Sequence, residues 1–233
     1  STPATLERYG VDEWMGDDGM MRRVHDMRLR IINSPSFMPE MISTAILFKD
    51  TVARGAVEAL TAKRIESYLK VDSGCEEDGT LKVFDLDSMI YYAIDTGCTG
   101  TKMRSIVKNA EIMSTLLDQQ FELATVIYAA GLMPIVEPEV PIDHEMKIML
   151  EEMLARGIQD RLDKFDGKCI LKLTLPETPN LYLKLSQHEK VHKVVGLSGG
   201  YSTVEACNKL ALQENVTASF SRALSEGLFA SQS

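Results

Sequence analysis

Short apolar runs alternate with longer stretches of helical spacing along most of the chain. That alternation restricts the fold more than any other feature. Runs at 42–48, 68–72, 99–103, 134–140, 169–175, 194–197 and 218–220 read as strands, bounded by glycine, proline or polar clusters. Helical patterns occupy 18–32, 51–63, 85–96, 109–130, 143–165, 181–188 and 203–213, with Asp85 or Asp87 as an N-cap and Gly131 just past a helix end. Seven strands alternating with helices predict a parallel sheet, open and doubly wound or closed into a barrel. Several strands carry polar residues along one parity, as barrel lumens do near their C-terminal rim. The expected fold class is α/β, and this parity favours a (β/α)8 TIM barrel over the open sheet, with residues 1–233 as one domain. The 45% hydrophobic content suffices for one such core.

Composition removes several partners. A formal net charge of −9 argues against a nucleic-acid surface. No apolar run reaches about 18 residues, so no membrane span is expected, and no basic, apolar leader opens the chain at Ser1-Thr2-Pro3. Cys75, Cys98, Cys169 and Cys207 are scattered, which favours reduced thiols and a cytoplasmic protein. The 13 methionines read as core.

The run from Cys169 to Leu175, stopped by Pro176, poses the functional question. Leu171, Leu173 and Leu175 share one face and must pack on helices, while Ile170, Lys172 and Thr174 share the other. Lys172 thus points inside the protein. Such a lysine either snorkels or pairs with a carboxylate, or it is held partly neutral and attacks a carbonyl. Other strand ends carry charge too: Lys70 and Asp72, Lys102 and Arg104, Glu137 and Glu139, and Arg222 after the last run. A closed barrel gathers them in one mouth. Lys102 near Lys172 would disfavour charge on both, and Glu137 or Glu139 could move protons during carbonyl attack. Ser198-Gly199-Gly200 between a strand and a helix suits an anion, because glycine lets backbone approach it and a helix N-terminus offers N–H groups. Five basic residues in one mouth suggest a substrate with phosphate at each end. Of His25, His144, His188 and His192, none lies on a strand end, and the His188/His192 interval crosses a helix end, so neither metal nor cofactor is expected.

Six collinear motifs resemble class I fructose-bisphosphate aldolase, in its bacterial, metal-independent form. They are Tyr68-Leu69-Lys70-Val71-Asp72, Gly100-Thr101-Lys102-Met103-Arg104, the 134–140 run with Glu137 and Glu139, Leu171-Lys172-Leu173-Thr174, Leu197-Ser198-Gly199-Gly200, and Ser219-Phe220-Ser221-Arg222-Ala223-Leu224. The resemblance implies that Lys172 forms a Schiff base with the ketose C2 carbonyl. It makes Glu137 the proton acceptor, Glu139 the second acid and Lys102 the neighbour of the imine. It places Arg222, Ser198, Gly199 and Gly200 on the C1 phosphate, and Lys70 and Arg104 along the remainder of the site, towards the C6 phosphate. The implied partners are sugar phosphates.

The departures generate expectations of their own. Family members open with a strand carrying an aspartate and a Ser-Gly-Gly-Ser turn, and Ser1 matches the last residue of that turn. The first strand and the closing helix are therefore expected to be missing from these 233 residues, as in part of a longer chain. Open apolar edges would then favour association, and a homo-oligomer is expected. Arg64 stands where the family has glycine at a helix end, which forces a left-handed backbone or a shifted loop. Two other functions compete on sequence alone: a silent fold that binds sugar phosphates or a partner, and a Schiff-base aldolase or transaldolase for another phosphosugar.

Overall fold

Side chains alternate across a strand, so a strand with leucines on one parity and charge on the other needs two different neighbours. The protein supplies both. A computed structural model describes residues 43–48 and 54–221; the helical pattern at 18–32, Ser1 and Arg222 lie outside the described residues. In chain order the elements are β1 (Thr44–Leu47), α1 (Arg54–Ala62), β2 (Glu66–Lys70), β3 (Asp72–Cys75), β4 (Leu81–Val83), α2 (Leu86–Thr96), β5 (Gly100–Ile106), α3 (Met113–Ala129), β6 (Met133–Glu139), α4 (Lys147–Leu162), β7 (Cys169–Thr174), α5 (Leu183–Ser186), β8 (Val191–Leu197), α6 (Thr203–Leu210) and β9 (Val216–Ser219).

Seven strands form one parallel sheet in the order β1-β2-β5-β6-β7-β8-β9, so each strand after β2 pairs with the next across a helix. Among the described residues β1 and β9 are its edges. The outward parity, with Leu69, Met103, Val136, Leu171, Leu173 and Val194, packs against Leu60, Leu116, Ala124, Leu150, Leu154 and Ile158 of the helices in one core. The inward parity builds a second cluster from Tyr68, Ile135 and Ile170, with Ile46, Met133 and Val195 against it. Lys193 Nζ on β8 lies 3.7 Å from Glu66 Oε2 on β2. Four strand spacings separate those strands, about 19 Å in a flat sheet, so the sheet curls around its inner cluster as a barrel wall does.

Two features were not anticipated. The run at 68–72 ends at Lys70, and residues 72–83 form an antiparallel hairpin, β3 with β4. The apolar Val71 is buried in the outer core beneath it. Several helices are also shorter than their apolar patterns. Residues 109–112 are a turn held by Asn109 Oδ1, which accepts the Ile112 N–H at 3.1 Å, and the start of α4 is delayed by a turn in which His144 Nδ1 accepts the Met146 N–H at 3.1 Å.

Helix α1 ends as the glycine rule requires, without the glycine. Arg64 sits at φ 60°. The Ile65 N–H reaches back to Leu60 O at 2.9 Å and the Arg64 N–H to Thr61 O at 2.9 Å, the pairing of a Schellman cap. Leu60 and Ile65 are both buried, which fixes the chain direction into β2. A left-handed non-glycine residue costs about 1–3 kcal/mol, partly offset by the smaller freedom of arginine when unfolded. Arg64→Gly is expected to stabilise the protein by roughly 1 kcal/mol, read as a higher urea midpoint at unchanged slope.

Candidate active site

The inward parity changes character along each strand. Tyr68, Ile135 and Ile170 form a buried apolar floor. Two residues further along the same strands stand Lys70, Glu137 and Lys172, and Lys102 on β5 is in register with Lys70. Charge is thus set on a dry base, where it is poorly solvated and pairing matters most.

Glu137 is the centre of the group. One carboxylate oxygen lies 2.7 Å from Lys102 Nζ and the other 3.1 Å from Lys172 Nζ. All three are largely buried; the Lys172 side chain is the most open, at 14%. Burial pushes the Glu137 carboxyl up, but Lys172 and Lys102 together outweigh it and hold it below the usual carboxylate range. Lys172 moves below its ordinary value: burial leads, Lys102 adds to it, and the attraction of Glu137 only partly opposes them. One carboxylate cannot neutralise two ammonium groups. A buried trio with one ammonium, one carboxylate and one neutral amine carries no net charge, and this is the cheap state.

The backbone beneath Glu137 is anchored from a helix. The Glu137 N–H donates to Gln120 Oε1 at 3.2 Å, and Gln120 Nε2 donates to Ser105 Oγ at 2.6 Å. Gln120 was not singled out from sequence, yet a polar residue among Leu116, Phe121 and Ala124 on the buried face of α3 was the available signal. Glu139 turns to Arg104 instead, with Nε 2.6 Å from Oε2; that hydrogen bond raises the Arg104 guanidinium further above its already high value.

Lys70 is held 2.7 Å from Asp72 Oδ1. Asp72 also accepts the Gly74 N–H at 3.1 Å and the Arg104 N–H at 3.2 Å. The unanticipated hairpin therefore has a local consequence: it brings a buried carboxylate to the Lys70 ammonium and to the backbone N–H of Arg104. At the end of β8, Ser198 O accepts the Gly200 N–H at 2.6 Å and the Tyr201 N–H at 2.8 Å. Gly199 and Gly200 adopt φ 60° and 130°, and a Cβ on Gly199 would lie 2.5 Å from Ile142 Cγ2. The helix contributes less than expected. Ser202 caps α6 with Glu205 in a capping box, so a first-turn N–H is already taken. Any anion here rests mainly on the turn itself.

The structure thus brings Lys102, Glu137 and Lys172 into direct contact, and sets Arg104 with Glu139 and Lys70 with Asp72 at the same ends of their strands. His144 Nε2 lies 2.9 Å from Lys108 O and His188 Nε2 3.4 Å from Asp163. Among the described residues no group of three or more His, Cys, Asp or Glu side chains is arranged to hold a metal ion, and no helix is long and apolar enough to cross a membrane.

No family model matches the chain. Among curated proteins it is 45% identical, over 249 aligned residues, to the class 1 fructose-bisphosphate aldolase of Synechocystis sp.; the match covers all of this chain and 83% of that protein. Among solved structures it is similar to the fructose-bisphosphate aldolase of Plasmodium falciparum, crystallised with TRAP and a small-molecule inhibitor. That likeness has a TM-score of 0.75 at 21% identity and covers 97% of this chain and 78% of the other, and it establishes the barrel fold.

The trio makes a stability test possible. Glu137→Gln leaves Lys102 and Lys172 facing each other without their anion, so a loss of about 3 kcal/mol at pH 7 is expected. In the variant, folded Lys172 sheds its proton below the unfolded value of about 10.4. The unfolded chain then binds more protons, and stability rises with pH. Urea unfolding should therefore show the deficit shrinking between pH 7 and pH 10. A deficit independent of pH would contradict the charge argument.

Proposed function

The chain belongs to the class I fructose-bisphosphate aldolase family, and on that premise we propose that Lys172 is the amine on which it works. The protein is a lyase, cleaving fructose 1,6-bisphosphate reversibly to dihydroxyacetone phosphate and glyceraldehyde 3-phosphate through a lysine Schiff base, a reaction of glycolysis and gluconeogenesis. One observation carries the assignment of residues: a buried carboxylate shared between two lysines, at Glu137.

The steps follow from that trio. Lys172, its proton displaced by burial and by Lys102, attacks the ketose C2 carbonyl. Glu137 takes the proton that the new C–N bond leaves on nitrogen and delivers it to the C2 oxygen. A second proton, drawn from solvent through the same carboxyl and returned when the last iminium is hydrolysed, lets that oxygen depart as water and leaves the cationic iminium. The resulting iminium draws electrons from the C3–C4 bond as the C4 hydroxyl gives its proton to Glu137. Glyceraldehyde 3-phosphate leaves, an enamine remains, and its protonation at C3 followed by hydrolysis releases dihydroxyacetone phosphate and restores Lys172. Lys102 counters the carboxylate throughout. Glu139, fixed by Arg104, is the second acid of the site.

Phosphate groups would meet two regions. Ser198, Gly199, Gly200 and Arg222 form the C1-phosphate site. Lys70 and Arg104 form the remainder, and because Asp72 and Glu139 already hold them, a C6 phosphate would compete with a carboxylate there. We read residues 1–233 as one catalytic domain working in the cytoplasm without nucleic-acid partners, with the sheet edges among the described residues, β1 and β9, favouring association as a homo-oligomer. The net charge of −9 supports the exclusion of nucleic acid, and the scattered free cysteines support the cytoplasm.

Borohydride with dihydroxyacetone phosphate is expected to add the reduced ligand's mass to the peptide containing Lys172, and Lys172→Met to abolish the label. Label on Lys102 or Lys70 with Lys172 untouched would overturn the assignment. Since the iminium serves as the electron sink, turnover should survive EDTA; a loss restored by zinc would contradict it.

A further inference from the structure

A second charged cluster lies behind the sheet rim, outside the trio. Lys147 and Glu151 on α4 are an ion pair in direct contact, both buried. Lys147 Nζ also donates to Leu175 O at 3.1 Å. Glu151 Oε2 accepts the Glu177 N–H at 3.1 Å. The chain leaving the Lys172 strand is thereby pinned at two successive points. Glu177 then carries the linkage across to the next loop. Its Oε1 accepts the Tyr201 hydroxyl at 2.8 Å and its Oε2 lies 2.6 Å from Lys209 Nζ. Lys209 Nζ also sits over the Tyr201 ring, 4.8 Å from its centroid.

Tyr201 directly follows Gly199 and Gly200, whose positive φ angles shape the turn. Two glycines lack side chains, so the turn supplies only its backbone hydrogen bonds to Ser198 O, and any side-chain anchor must come from its neighbours. Ser198 is buried on one side. On the other, the first side chain available as an anchor is Tyr201. Lys209 first, then Tyr201 and Lys147, hold the Glu177 carboxyl down at about 2, so it is ionised at any working pH. An ordinary surface ion pair contributes little to stability. This one differs in standing between a buried pair and a glycine turn.

We propose that Glu177 is a positioning residue for the phosphate end of the substrate: through the Tyr201 hydroxyl it holds the 198–200 turn in the shape that accepts the phosphate. The proposal rests on the reading of that turn as the C1-phosphate site. Its effect is to preorganise the turn, so that binding need not order two glycines. It predicts selectivity among ligands, which a general loss of stability would not produce.

The test compares borohydride trapping at Lys172 by dihydroxyacetone phosphate and by dihydroxyacetone, which lacks the phosphate. In the unaltered protein the phosphate ester should half-saturate at a much lower concentration. Tyr201→Phe, which keeps the ring and removes only the hydroxyl, and Glu177→Ala are each expected to raise that concentration about 5- to 10-fold, with trapping by dihydroxyacetone unchanged. Equal changes for both ligands, or none for either, would overturn the clamp. If the unaltered protein traps both ligands equally well, the turn is not the phosphate site, and the clamp falls with that reading while the Lys172 assignment stands.

Discussion

A single carboxylate between two lysines is the interaction on which the rest depends. Glu137 touches both Lys102 and Lys172, and its one negative charge cannot serve two buried cations. In water the surplus proton would cost nothing; over an apolar floor it is held less tightly, and Lys172 moves below its ordinary value. The chemistry of the site is thus a consequence of counting charges in a place where solvent cannot help. Either lysine alone beside Glu137 would be an ordinary buried ion pair, with no surplus charge to relieve.

The fold exists around that requirement. A flat sheet would set these strand ends side by side along a line. Curling it brings β2 and β8 within reach of each other at Glu66 and Lys193, and turns the inward parity into an enclosed surface. Tyr68, Ile135 and Ile170 seal the base. From outside, Gln120 reaches through the helix layer to hold the backbone of Glu137. The carboxylate is therefore fixed by its strand, by the amide below it and by two amines above. Little freedom is left to it.

Much of this was legible in the sequence because parity is a local code. The three leucines opposite Lys172 announced which face met the helices, and Leu171 and Leu173 lie in the outer core while Ile170 lies in the inner one. The polar parity of the strands announced the lumen. For Arg64 the family resemblance left a left-handed backbone or a shifted loop, and the first is realised at φ 60°. Interactions made through tertiary structure were silent. Asp72 read as a strand end and is the pivot of a hairpin gripping Lys70 and the Arg104 backbone. Glu177 read as loop and joins two loops whose closeness depends on the sheet. Glu139 was expected beside Glu137 as a partner in chemistry, and the structure ties it to Arg104. A spacing of two residues gives the same face; it does not say which neighbour across the sheet will claim the side chain.

The central claim is that Lys172 gives up its proton below the ordinary lysine range, because it is buried and shares Glu137 with Lys102. Titration of lysine side chains labelled with carbon-13 at Cε, followed by NMR from pH 6 to 11 and assigned by the signal lost in Lys172→Met, tests it most directly. The account predicts that the Lys172 signal titrates clearly below the value of about 10.4 shown by exposed lysines, and that Lys102→Met, which gives Lys172 the whole of Glu137, moves it upward. A Lys172 signal that titrates at or above the exposed lysines in the unaltered protein would contradict the account.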